Sequence, residues 1–447
     1  MGETIVEYLE EQRSSFADVP FGEVDSLVLV TVAYFRFENG ALGRTLAAEH
    51  VPLPVAVCGI SRSDLYGGIW LETMSGDEFL AALLSSPRFM ELEVAFYANE
   101  ISPHFEKQFA AITFFLPDGS AYIAYRGTDN TVAGWKEDFN LSYMLRTEGQ
   151  RLAVEYLNRN FRDTSLRLRV GGHSKGANFA VFASAFALPE VRAQIEAVYT
   201  NDGPGFLEEI TETEEYKNVL FKTINIIPSV SIIGRLLNSS MKPIVVKSSG
   251  KGIMQHDALT WQVMGNRFVY AERSSDSLFV EKVMDEWMRN VSAESRRRFV
   301  DQLFEILMAG GNETMKDFKT SNLSELAESL TTYRSLPKDQ QKEMSRVLLQ
   351  LVRSGEKTLY EQMVNNGGLP DFIRKWAAKK TDAIEALENR EEQEEEGRDF
   401  SGARLTESDP ESEAEDASDT EAGDSEESLR QQMRKEVLER AMNEANG

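Results

Sequence analysis

Leu166-Arg167-Leu168-Arg169-Val170-Gly171-Gly172-His173-Ser174-Lys175-Gly176-Ala177-Asn178-Phe179-Ala180 reads as a strand, a very tight turn and the start of a helix. At the turn, Gly172-His173-Ser174-Lys175-Gly176 is a G-x-S-x-G pentapeptide. Such a turn is a nucleophile elbow: it lifts one serine hydroxyl above the end of a buried sheet. The chemistry needs both glycines. Ser174 sits in a strained backbone conformation, and side chains at 172 and 176 would collide with the neighbouring strand and helix. The helix that follows, expected over Ala177–Leu188, aims its N-terminal N–H groups where an oxyanion develops during acyl transfer. The pentapeptide alone recurs by chance. The alternating strand before it and the apolar helix after it give it weight.

A serine hydroxyl is a poor nucleophile at neutral pH and needs an adjacent base. In an α/β-hydrolase the chain order is Ser, acid, His. The histidines are His50, His104, His173 and His256. Only His256 follows Ser174 at a distance, so the base is His256 by elimination; His173 is too close in sequence, and its side chain is expected to point away from the serine. Between Lys217 and Gln255 there is no Asp or Glu. The acid is therefore sought earlier, in Tyr199-Thr200-Asn201-Asp202-Gly203-Pro204-Gly205, where Asp202 ends a strand. Active sites of open α/β sheets gather at that end. Asp257, beside the histidine, reads as a helix cap; Ser229 or a water are the other groups that could orient the imidazole. The turn Tyr125-Arg126-Gly127-Thr128-Asp129 suits the second oxyanion donor: the backbone N–H of Thr128, paired with that of Lys175.

Around these segments the pattern is mixed. A hairpin is expected from Gln108–Leu116 and Ala121–Tyr125 about Pro117-Asp118-Gly119-Ser120. Further strands are expected at Ala197–Asn201, Phe221–Ile227 and Ile244–Lys247, and helices at Ile5–Phe16, Asp77–Leu84, Arg88–Ala98 and Glu148–Phe161. Leu27–Phe37 is a long apolar run, a buried helix or strand. Strands alternating with helices predict an α/β fold with a mostly parallel sheet. Beyond about 275 only helical periodicity remains: Ser277–Val291, Ala293–Met308, Leu323–Tyr333, Asp339–Arg353 and Thr358–Val364. Arg398–Glu427 has almost no large apolar residue and is expected to be disordered, and Leu429–Met442 regains helix character.

The chain of 447 residues carries a net charge of −25. Between Glu385 and Glu427, 19 Asp and Glu face 3 Arg, so most of the charge belongs to the tail. Nothing basic is gathered for nucleic acid, which is not expected as a partner. A single cysteine, Cys58, excludes an internal disulfide framework and a multi-cysteine metal site. The acidic N-terminus is no secretory signal, and no run of about 18 apolar residues marks a membrane span. A cytoplasmic protein is the expectation, with its tail and terminal helix available to a protein partner.

Ala121-Tyr122-Ile123-Ala124-Tyr125-Arg126-Gly127-Thr128, Gly134-Trp135, Asp138 and Gly172-His173-Ser174-Lys175-Gly176 together resemble the class 3 lipases. The chain is also similar to a bacterial lipase-like α/β-hydrolase family of unknown function, in which Gly-His-Ser-Lys-Gly, an Asn-Asp-Gly-Pro-Gly-like segment and a late Gln-His-Asp segment occur together. The likeness covers roughly residues 1–270. It implies Ser174 as nucleophile, Thr128 as the oxyanion-hole residue and His256 as base. Class 3 lipases commonly have Leu where Lys175 stands, and they carry their acid after the strand corresponding to Phe221–Ile227. The layout expected is an α/β-hydrolase domain over 1–275, a helical appendage over 276–380, an acidic linker over 381–427 and a short helix over 428–447. The activity expected is cleavage of carboxylic esters, lipid acyl esters among them, by an acyl-enzyme with no metal or organic cofactor. Thioester or peptide cleavage, or a non-catalytic binding role, are the rival readings.

Overall fold

The computed structural model describes residues 3–40, 50–61, 64, 76–102, 104, 106–129, 131–309, 331–347, 350 and 353–354. The chain divides into two compact units after Gly368, and every described residue lies in the first. The expected helix Thr358–Val364, the acidic segment Arg398–Glu427, the helix Leu429–Met442 and most of Leu323–Tyr333 lie outside the described residues.

Eight strands form one sheet in sequence order: β1 Val51–Pro52, β2 Glu93–Ser102, β3 Lys107–Phe115, β4 Ser120–Tyr125, β5 Arg167–His173, β6 Ile195–Asn201, β7 Thr223–Pro228 and β8 Pro243–Val246. The first four pair antiparallel and β4 to β8 pair parallel. The hairpin between β3 and β4 turns where expected: Gly119, at φ 76°, donates its N–H to Leu116 O at 3.0 Å. Along β4, Tyr122 and Ala124 enter one core while Ala121, Ile123 and Tyr125 enter the other. This is the two-residue period of a strand buried on both faces.

Strict sequence order has a consequence for the helices. Crossovers of one hand between successive parallel strands place every connecting helix on the same face. Accordingly α5 Glu148–Phe161, α6 Lys175–Phe186 and α7 Glu214–Leu220 share one core with Ile123, Val170 and Val198. The other face must be covered from elsewhere. Helices α1 Ile5–Glu11, α2 Glu23–Val32 and α3 Gly76–Ser85 cover it. The apolar run from Leu27 is thus the end of a helix whose residues from Val24 to Val32 are all buried. A helix apolar all round is a buried one.

One expected element is wrong. Arg88–Ala98 is not a helix: a single turn over Pro87–Met90 precedes β2. A bulge between Ala95 and Ala98 hides the strand's period. Val94 and Tyr97 face one core, and Phe96, at φ 56°, and Ala98 the other. Alternation therefore fails where it would have been read.

Helix α4 Val132–Asn140 follows β4, and α8 Ser275–Asn290 and α9 Ala293–Ala309 follow the sheet. Val132, Trp287, Val291, Phe299, Val300 and Phe304 form a third core between them, joined by Met344 and Val347 from the helical residues 338–347. Ser277 Oγ donates to Ser231 O at 3.0 Å, Arg296 Nε to Ser142 O at 2.9 Å, and Lys136 pairs with Asp301 at 3.1 Å. These helices pack on the α/β body. Among the described residues no helix is long and apolar enough to cross a membrane.

Candidate active site

Ser174 stands between β5 and α6 at φ 56° and ψ −133°. That region is costly for a non-glycine residue, of order 1–3 kcal/mol, and two bonds hold it. Its N–H donates to Asn201 O at 3.0 Å and its carbonyl accepts from Ala177 N at 2.9 Å. A Cβ at Gly172 would lie 2.1 Å from the Gly176 backbone, and one at Gly176 would lie 2.1 Å from Tyr125 O. Both glycines of the elbow are therefore required by contact.

Asp202 ends β6, fully buried and at φ 50°. Its Oδ2 accepts from His256 Nδ1 at 2.6 Å. Its Oδ1 accepts from Ser231 Oγ at 2.5 Å and from Gly234 N at 3.2 Å. With Nδ1 donating to the carboxylate, neutral His256 keeps Nε2 as its acceptor. The loop carrying His256 is pinned beside it: Trp261 Nε1 donates to Gln255 O at 2.8 Å, and Gln255 Oε1 accepts from Val230 N at 2.9 Å and from Ser229 Oγ at 3.1 Å. Ser229 thus holds the neighbour of the histidine. Asp257 caps the next turn, accepting from Leu259 N at 3.0 Å.

His173 packs against the loop that carries His256. Its ring stacks on that of His256, with centroids 4.6 Å apart. Its Nε2 lies 2.8 Å from His256 O and its Nδ1 2.9 Å from the Tyr34 hydroxyl. A carbonyl only accepts, so Nε2 carries the proton and Tyr34 donates to Nδ1. Burial, aided by His256, pushes the imidazole down to about 3, which keeps it neutral. Gly127 packs against the same Tyr34 hydroxyl. A Cβ at Gly127 would come within 2.3 Å of that hydroxyl and 2.9 Å of Ser174 Cβ. One network therefore ties the loop after β4 to the histidine loop across the serine.

Thr128 follows Gly127, and its hydroxyl donates to Asp138 on α4. Burial raises the Asp138 carboxyl to about 6, against the opposing pull of Lys175 and the Thr128 hydrogen bond. Lys175 opens α6, where a backbone N–H has no partner inside the helix. Its side chain is wholly buried and pairs with Glu137 at 3.1 Å. Glu137 also accepts from Gly149 N at 2.6 Å and Gln108 N at 3.0 Å. A lysine buried at this position requires such a carboxylate, and no motif in the sequence marks Glu137, Tyr34 or Ser231 as supports of the site.

Thr128, Ser174 and His256 open on one cavity of about 350 Å³. Asp138, His173 and Asp257 also reach it. Its remaining wall is mostly apolar, with Phe139, Leu236 and Leu259 from the body and Met284, Trp287 and Met288 from α8. Every sequence-predicted site residue thus lies at the C-terminal ends of β4, β5 and β6 or in the loop after β8.

Residues 83–305 match the family model described as Mbeg1-like. The chain has an α/β fold with an eight-stranded, mostly parallel sheet. The match takes in Thr128, Asp138, Ser174, Lys175, Asp202 and His256 but not Tyr34, and it includes α8 and much of α9, so it begins later and ends later than the likeness read from the sequence. Among solved structures the chain is similar to M37 lipase, at 15% identity over 49% of this chain and 70% of that one, with a TM-score of 0.32. It is also similar to the Rhizomucor miehei lipase propeptide complex, at 13% identity over 35% of this chain and 57% of that one, with a TM-score of 0.28. The chain spans little more than half the length of the Rhizomucor protein. Likenesses this distant say nothing of activity. No curated protein matches the chain.

Proposed function

We propose that the protein is a serine hydrolase that cleaves carboxylic esters bearing an apolar acyl group. The observation that carries this reading is the bond of 2.6 Å between buried Asp202 and His256, with His256 and the elbow serine opening on one apolar cavity. Ser174 Oγ attacks the ester carbonyl while His256 Nε2 takes its proton. The oxyanion is held by the backbone N–H groups of Lys175 and Thr128. Collapse breaks the ester C–O bond, and the imidazolium gives its proton to the leaving alcohol. Water, activated by the same histidine, then releases the acid and restores Ser174. Asp202 keeps the imidazole in the required tautomer and stabilises its charged form.

The test is covalent labelling with a fluorophosphonate, followed by turnover of matched ester, thioester and amide substrates. Labelling at Ser174, its loss in Ser174→Ala, and preference for the ester are expected. An unlabelled, folded protein would mark a binding role without catalysis. Faster turnover of the thioester or the amide would change the reaction class.

A further inference from the structure

Helices α8 and α9 have no part in the sheet or in the chemistry proposed above, yet they complete the cavity. Met284, Trp287 and Met288 line it from α8 and Phe299 from α9. The spacing i, i+3, i+4 puts the three α8 residues on one helix face. Trp287 is buried, and its indole N–H donates to Val347 O at 3.4 Å. Met284 and Met288 are only half-buried and flank it. Methionine side chains adapt to ligands of different shape.

The wall is fixed in place from both ends. Arg235 and Arg273 both pair with Glu281 on α8. Ser277 bonds Ser231 O, and the Ser231 hydroxyl bonds Asp202. At the far end Arg296 bonds Ser142 O. No Lys or Arg lines the cavity among the described residues, so no cationic side chain there would pair with a charged group along the acyl chain. An unbranched, uncharged chain suits such a space, whose volume falls within the usual range of ligand pockets.

We infer that α8 is the acyl-binding wall of the active site and that Met284, Trp287 and Met288 set the length of chain it accepts. This rests on the hydrolase reading for the word acyl, but the wall itself can be tested without turnover. In Ser174→Ala protein, n-alkanols from butanol to dodecanol are titrated calorimetrically. Affinity should rise about fourfold per methylene and stop rising at the chain length that fills the cavity. Met284→Trp should move that break to shorter alkanols and Trp287→Leu to longer ones. Opposite shifts cannot come from loss of folding. A break at the same length in all three proteins, or affinity that never rises with length, overturns the inference.

A second arm uses the same two changes with Ser174 present and p-nitrophenyl esters from acetyl to palmitoyl. The preferred ester chain length should move in the same direction as the alkanol break, shorter in Met284→Trp and longer in Trp287→Leu. If the alkanol breaks shift and no ester is cleaved, the hydrolase reading fails and the wall stands.

Discussion

Asp138→Asn should make the protein more stable at pH 8. Asp138 is partly buried in the cavity wall, and desolvation there lifts its carboxyl from 3.8 to about 6. Between those values the folded protein holds a proton that the unfolded chain has lost. Stability therefore falls as pH rises through that window, and the deficit is complete above about 6. Two units correspond to about 3 kcal/mol. Asparagine removes the charge and still offers an oxygen to the Thr128 hydroxyl, so the hydrogen bond to the loop survives. Thermal unfolding followed by circular dichroism at pH 8, 6, 5 and 4 is the assay. At pH 8 the midpoint should rise by about 6 °C or more. The gain should shrink through pH 6 and vanish near pH 4. A variant less stable than the parent at pH 8, or a gain equal at pH 8 and pH 4, would refute the argument.

Three further outcomes follow from the site and its supports. Asp202→Asn should slow small-ester turnover about a hundredfold or more, because the imidazolium loses its partner, and Asp257→Asn, a turn cap, should be milder; steady-state kinetics giving the reverse order would move the acid to Asp257. Lys175→Met should cost about 3–5 kcal/mol in urea unfolding by leaving Glu137 buried without its cation. Adding Glu137→Gln should recover much of that loss, and no recovery would show that the pair is not what the lysine contributes. A chain ending at Arg273 should bind a fluorescent hydrophobic dye and unfold with poor cooperativity, since it bares Val132, Trp135 and Phe139 on α4. A sharp transition at the parent's temperature would make the C-terminal helices a detachable appendage.

The parts of the site that chemistry makes rare were legible in the sequence. Only one histidine stood far enough behind Ser174, and a stretch without carboxylates, Lys217–Gln255, pushed the search for an acid back to Asp202. The structure places that carboxylate on His256. What depended on long-range contact was not legible. Helical periodicity showed that α8 and α9 exist but not that one apolar stripe would face the serine. Val-rich α2 looked equally like a strand, because only the sheet face above it decides. The bulge in β2 erased the alternation that marks a strand. Tyr34 and Glu137 lie far from the motifs they support, and only a buried lysine hinted that an acid must meet it.

The sheet laid out in strict chain order also dictates when the molecule can become whole. Its N-terminal helices leave the ribosome first, yet they cover the face built last. Ser26 on α2 waits for Tyr122, whose hydroxyl lies 2.7 Å from its own, and Glu3 O waits for the N–H of Val263. At roughly 5–20 residues per second, tens of seconds of synthesis separate the ends of that second contact. Until β2 to β4 emerge the run from Leu27 to Val32 has no sheet to lie on, and the face is complete only with the later strands. The nascent chain therefore presents its most apolar helix bare. Chaperone capture should concentrate on ribosome-bound chains of intermediate length and cease once β8 and the histidine loop have emerged.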